Sequence, residues 1–102
     1  MIYEYAYLTV APGREKEFEQ AVLAGRPILA SADGCTSVDL YPDVETPGSY
    51  LLRIGWQTLE KHLVDFPASK QASEWAAAIE HFLVGEAVLR HFDATPLGRR
   101  TP

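Results

Sequence analysis

One histidine in this sequence lies where it could move a proton inside an apolar environment. Leu59, His62, Leu63 and Phe66 follow one another at the spacing that shares one face of a helix. Because an imidazole titrates near neutral pH, His62 could act as a general base. A structural histidine bonded to a backbone carbonyl explains the pattern equally well. In either case we expect His62 to border an apolar pocket.

Two tryptophans and one arginine are further candidates for ligand contacts. Trp56 and Trp75 could stack against a planar molecule, although a tryptophan on a core-facing stripe more often only packs. Arg53 interrupts an apolar segment, where it could hold an anionic oxygen or pair with Asp39 on a neighbouring strand. The cross-strand pair is the favoured interpretation.

The sequence offers little for metal, redox or dinucleotide chemistry. Cys35 is the single cysteine, which excludes an internal disulfide, and the acidic residues Asp33 and Asp39 argue against a reactive thiolate. His81 and His91 have no partner at the spacing of metal ligands. No glycine-rich dinucleotide motif follows a strand. We therefore expect neither a metal nor a cofactor, and a buried structural role for the cysteine.

Composition indicates one folded domain that avoids polyanions. The chain has 102 residues, of which 47% are hydrophobic and 23% charged, as in ordinary globular proteins. Nine Lys and Arg against fourteen Asp and Glu give a net charge of −5, which repels nucleic acid and anionic membranes. The N-terminus MIYEYAYLTV is typical of a strand rather than a signal peptide, so we expect a cytosolic protein.

The order of strand and helix patterns predicts a ferredoxin-like α+β fold, βαββαβ, with a four-stranded antiparallel sheet. The domain should span residues 1–93, followed by a flexible tail over 94–102. The predicted segments are a strand over 3–10, a helix from 14 that kinks or restarts at Pro27, strands over 35–41 and 50–56, a short helix capped by Thr58, a longer helix capped by Ser69, and a strand over 87–92.

The first strand has two mostly apolar faces, which predicts a homodimer. Tyr3, Tyr5 and Tyr7 alternate with an apolar set, and in this fold the helices cover only one face of the sheet. The other face would leave apolar surface in water, as interaction sites do. Tyrosines resting half-exposed on an open monomeric sheet are the alternative. The apolar set comprises Ile2, Ala6, Leu8 and Val10.

An ordered set of strings resembles the antibiotic biosynthesis monooxygenase (ABM) domain. These strings are YLTVAPG at 7–13, RPILASADGC at 26–35, and YLLRIGW at 50–56 followed by TLEKH at 58–62 and Phe66. The resemblance implies a dimeric α+β barrel with a pocket between the sheet and the helices. It also implies, for many members, oxygenation without flavin, haem or metal, in which a phenolic or quinol substrate supplies the electrons.

The resemblance gives the candidate residues roles. It implies a cofactor-independent monooxygenase acting on a small aromatic, polyketide-like or quinol substrate. Within that chemistry the position of His62 on the apolar stripe predicts that it removes a phenolic proton. Family members place a tryptophan at the end of the third strand, which corresponds to Trp56, and Phe66, Trp75 and Arg53 are the other expected substrate contacts. The alternative is a non-catalytic dimer of the same fold that binds a small apolar ligand or serves as a scaffold.

The sequence departs from the family pattern on its first strand. Haem-degrading and some quinone-forming members use an asparagine there, whereas this chain contains no asparagine and has Ala6 at the matching place. A methyl group cannot bond to a substrate oxygen. This departure disfavours haem binding and any mechanism that needs the asparagine.

Overall fold

The computed structural model describes residues 1–99 and confirms the predicted α+β ferredoxin-like fold. The sheet has the order β2-β3-β1-β4, and every neighbouring pair is antiparallel. Short helical turns at Lys61–Asp65, Phe66–Ala68 and Glu80–Phe82 flank the second helix. The principal elements are β1 (Ile2–Thr9), α1 (Glu15–Ala30), β2 (Cys35–Pro42), β3 (Ser49–Trp56), α2 (Lys70–Ile79) and β4 (Val88–Asp93).

The alternation of β1 decides what each face of the sheet contacts. Glu4, Ala6 and Leu8 are buried beneath the helices, whereas Tyr5 and Tyr7 lie on the opposite, open face. Inward-facing residues of β1, β2 and β3 form the core together with the buried residues of α1 and α2. The fully buried large side chains are Trp56, Phe18, Leu29 and Val22.

Helix α1 approaches α2 closely at a glycine. A Cβ atom on Gly25 would lie 3.1 Å from Cζ3 of Trp75, so the absent side chain makes room for the indole. The predicted restart at Pro27 is wrong, because α1 continues through Pro27 to Ala30, and a kink at Pro27 stays a prediction. This proline lies in the last turn of the helix, so few backbone hydrogen bonds of α1 lie beyond it that its missing N–H could disturb.

The chain after β4 remains near the start of the molecule. The amide of Ala94 donates to the carbonyl of Met1 at 3.2 Å. A flexible tail over 94–102 stays a prediction, and residues 100–102 lie outside the described residues. Over residues 1–99, no helix is long and apolar enough to cross a membrane.

Candidate active site

A widened helical turn carries His62 into the interior. Thr58 Oγ1 accepts a hydrogen bond from the Lys61 amide at 3.2 Å, as predicted for a capping residue. The backbone then forms a π-helical turn over Lys61–Asp65, a geometry that often occurs at functional sites. His62 is 7% exposed, while Leu59 and Leu63 are 43% and 53% exposed. The predicted shared apolar stripe is therefore wrong for the two leucines, because the wider turn changes which residues share a face.

The His62 ring packs between aromatic side chains. Its plane lies 14° from that of Trp56, with ring centroids 5.1 Å apart. Phe66 contacts both rings, at centroid distances of 6.2 Å to His62 and 5.2 Å to Trp56. This packing fixes the orientation of the imidazole.

A buried carboxylate lies beside the imidazole. Glu4 is 5% exposed, and its Oε1 accepts a hydrogen bond from Trp56 Nε1 at 3.0 Å. The same oxygen lies 3.2 Å from His62 Nε2. An ionisable side chain so deeply buried needs such partners.

A second histidine extends these contacts across the sheet. His91 is directly opposite Glu4 in the pairing of β1 with β4. Its Nε2 lies 2.8 Å from His62 Nδ1, and its side chain is half-buried. The three residues form what we call the Glu4–His62–His91 chain, which runs from beneath the helices to the edge strand.

Burial favours the uncharged forms of the inner two groups. It lowers the pKa of His62 to about 4, and the charge of His91 acts in the same direction. Burial also raises the pKa of Glu4, against the smaller lowering effect of the bond from Trp56. An ion pair would shift both values the opposite way. The contact between His62 and Glu4 is therefore a close polar contact of a neutral imidazole, not a salt bridge.

Glu4 also lines a pocket between the sheet and the helices. The pocket has a volume of about 170 Å³, and Glu80 contributes the other carboxylate, on an exposed turn. Ala6 lies next to Glu4 on the same face of β1 and offers only a methyl group. The apolar wall includes Leu8, Leu52, Ile54, Phe66, Trp75 and Leu89.

A larger pocket of about 240 Å³ lies elsewhere, between α1 and β2. Two carboxylates line it: Glu19 already accepts a 2.5 Å hydrogen bond from the hydroxyl of Tyr50, and Asp39 pairs with Arg53. None of the Glu4–His62–His91 chain lines it. The pocket at Glu4 is therefore the better candidate for chemistry.

The structure brings four of the five predicted site residues together. Phe66 and Trp75 line the pocket, and His62 and Trp56 lie directly behind Glu4. Arg53 is on the open face of the sheet, where it pairs with Asp39 at 3.4 Å, the cross-strand alternative. In residues 1–99, no group of three or more His, Cys, Asp or Glu side chains could hold a metal ion.

Comparison with known proteins identifies the family. The family model described as antibiotic biosynthesis monooxygenase, ABM, matches residues 1–81. The uncharacterised protein YczJ of Bacillus subtilis is 34% identical over 92 residues, which is 90% of this chain and 97% of YczJ. The chain belongs to the ABM family. This confirms the resemblance found in the sequence.

Solved structures agree with this ABM assignment. A proposed antibiotic biosynthesis monooxygenase from Bordetella bronchiseptica is 34% identical, with a TM-score of 0.89 over 93% of this chain and 97% of that one. A variant of SnoaB, a cofactor-independent oxygenase from Streptomyces nogalater, has a TM-score of 0.76 at 18% identity, covering 95% and 96% of the two chains. The likeness to SnoaB shows the fold alone.

Sequence reasoning missed two members of the site in this ABM protein. Glu4 was missed because its neighbours on the same face of the first strand are apolar. His91 was considered only as a metal ligand. A signal for Glu4 does exist, because it shares its face with Ile2, Ala6 and Leu8. A carboxylate in an inward-facing register must find polar partners. No comparable signal marks His91.

Proposed function

We propose that this ABM protein is a cofactor-independent monooxygenase acting on a small aromatic, polyketide-like or quinol substrate. The observation that supports it is the Glu4–His62–His91 chain, which presents a buried carboxylate to a pocket whose other buried lining residues are apolar. Such a pocket suits a planar hydrophobic molecule with one acidic hydroxyl. The description of the fold neighbour SnoaB as a cofactor-independent oxygenase is consistent with this activity.

The reaction would begin with removal of a phenolic proton. A phenolate gives an electron to dioxygen more readily than a phenol does, so proton transfer to the protein activates the substrate. For an anthrone, the ring CH2 becomes a carbonyl and loses four electrons. Dioxygen accepts those four electrons, and its two atoms end in the new carbonyl and in one molecule of water.

The pocket residues would position the substrate for this step. Phe66 and Trp75 form aromatic walls against which a planar ring can pack. Trp56 and His62 support the carboxylate from behind, through the contacts on Oε1 of Glu4. We give Arg53 no part in substrate binding, because it lies on the other face of the sheet.

Oxygen consumption with a panel of naphthols, anthrones and quinols tests the proposal. Purified protein treated with a chelator should consume one dioxygen for each quinone formed. Phe66→Ala should weaken turnover, whereas the exposed neighbour Leu63→Ala should not. A non-catalytic binding protein is the alternative, favoured by the bare methyl of Ala6 at the pocket wall. Compounds that raise the melting temperature yet are recovered unchanged would support that alternative.

We also propose that two copies pair through the open faces of their sheets. Tyr7 and Phe92 on this face are 49% and 55% exposed, and the Tyr5 ring lies 5.3 Å from that of Phe92. Light scattering should therefore report a dimer mass. Phe92→Glu should give a monomer, whereas Leu23→Glu on the exposed surface of α1 should remain dimeric. A concentration-independent monomer mass for the wild-type protein would refute the pairing.

A further inference from the structure

We infer that Glu4 is the residue that receives the substrate proton, and that His62 and His91 relay this proton to the edge of the sheet. The inference rests on the proposed function for the identity of the substrate as a phenol or its tautomer. It assigns the catalytic step to a carboxylate rather than to the histidine that the sequence suggests.

Glu4 is the polar group placed to touch a bound molecule. Of the two carboxylates that line the pocket, Glu80 is exposed on its turn, while Glu4 is 5% exposed. The contacts from Trp56 Nε1 and His62 Nε2 both fall on Oε1. We therefore assign Oε2 to the substrate hydroxyl. Oε1 is held in place by these contacts while Oε2 takes the proton from the substrate.

His62 is poorly placed to be the base itself. Its Nδ1 lies 2.8 Å from His91, and its Nε2 lies 3.2 Å from Glu4. One face of the ring is stacked on Trp56. With both nitrogens engaged, the imidazole can pass a proton between its neighbours but has no free lone pair for a substrate.

Each proton that leaves one residue of the Glu4–His62–His91 chain is accepted by the next residue or by solvent. The substrate hydroxyl gives its proton to Glu4, which leaves a phenolate and a neutral carboxylic acid. Rotation of the neutral carboxyl group about its Cγ–Cδ bond brings this proton to the position that faces His62 Nε2. His62 Nε2 accepts it, and the proton on His62 Nδ1 moves to His91 Nε2. His91 releases its Nδ1 proton to solvent, which restores the Glu4 carboxylate. Exchange of the ring tautomers completes the cycle without any oxidant or reductant.

The surroundings of Glu4 suit this task. Titratable groups face it from several elements: His62 from the π-helical turn, His91 from β4, Cys35 from the start of β2 and Glu80 from the rim of the pocket. Burial brings the pKa of Glu4 upward, nearer to the working pH at which a general base is most effective.

Ionisation of a bound phenol without oxygen tests the proton transfer separately from oxygenation. The probe is 4-nitrophenol, added anaerobically at a pH that keeps it protonated in water. Wild-type protein should produce the absorbance of the phenolate, and Glu4→Gln should not. Glu74→Gln, the same charge change at an exposed position of α2, should match wild type. Glutamine retains an oxygen that can accept from Trp56, and circular dichroism would verify folding.

Turnover supplies the second readout. With a substrate that the wild-type protein oxidises, Glu4→Gln should lower kcat about 10²- to 10⁴-fold, as the loss of a general base does. Phenolate formation without oxygen consumption would refute the oxygenase proposal but support Glu4 as the proton acceptor. Oxygen consumption that survives Glu4→Gln would leave the oxygenase standing and overturn this inference. Wild-type protein that leaves the nitrophenol protonated would also overturn it.

A separate variant tests the relay. His91→Ala should slow turnover, and added imidazole should restore the rate by replacing the lost ring. A merely structural role for His91 predicts no rescue by imidazole. Full activity in His91→Ala without added imidazole would refute the relay while leaving the role of Glu4 intact.

Discussion

Acidification should destabilise this protein through His62. Folding holds the pKa of this imidazole at about 4, whereas the unfolded chain takes up the proton near the ordinary value of 6.5. Between these values the unfolded state binds more protons than the folded state. The free energy of unfolding therefore falls as the pH is lowered through this window.

The size of the effect follows from the two values. A pKa of about 4 against 6.5 corresponds to about 3 kcal/mol once both states are protonated, at roughly 1.4 kcal/mol for each tenfold difference. A domain of ordinary stability has only about 5–15 kcal/mol in total. The His62 contribution should therefore be visible in the acid limb of a stability curve.

Glu4 changes the free energy of unfolding with pH in the opposite direction, so its contribution must be separated from that of His62. Because burial raises its pKa above 4.5, the folded state keeps a proton that the unfolded chain has released. Its contribution therefore decreases stability as the pH rises above 4.5. Comparing Glu4→Gln with the double variant Glu4→Gln, His62→Gln isolates the histidine.

Two measurements check the prediction. Urea unfolding from neutral pH down to about 4 should show a steeper loss of stability in Glu4→Gln than in the double variant. An NMR titration of the ring carbons should show one histidine, absent from His62→Gln, that titrates well below 6.5. A value above 6.5 would mean that Glu4 holds an imidazolium, and the assignment of a neutral imidazole would be refuted.

Three further changes have definite outcomes. Trp75→Ala removes a buried ring and should cost about 3–5 kcal/mol in urea unfolding while widening the pocket. Gly34→Ala should cost about 1–2 kcal/mol by the same assay, because the residue has a positive φ; its Cβ would also lie 2.6 Å from Cγ of Lys61. Trp56→Phe keeps a ring but removes the bond to Glu4, so a carboxyl NMR titration should show a further increase in the pKa of Glu4.

The helices and strands could be predicted from the sequence because interactions between residues close in the chain determine where each of them begins and which face it buries. The Ser69 hydroxyl accepts from the Ala72 amide at 3.3 Å and begins α2, as its residue type predicts. The alternation of β1 likewise separates a helix-covered face from a tyrosine face. These rules depend only on neighbours in the chain, so they survive in the folded protein.

The turn that carries His62 could not be predicted in the same way. Helical periodicity assumes a constant number of residues per turn, and Lys61–Asp65 departs from it. Nothing in the residue types there distinguishes a π-helical turn from an ordinary one. The prediction of an inward His62 was correct in burial, but its leucine neighbours are exposed.

The side chains of the site come together because of the strand register, which cannot be predicted from the type of any single residue. Glu4 meets His91 because β1 and β4 pair in one register, and a slip by one residue would turn every side chain of a strand to the other face. In the same register Ala6 and Glu4 point into one pocket, two residues apart. Ala6, which the resemblance matches to the asparagine of some family members, is apolar, while the carboxylate of Glu4 faces the same pocket. The missing asparagine alone is therefore a poor reason to regard this pocket as inert.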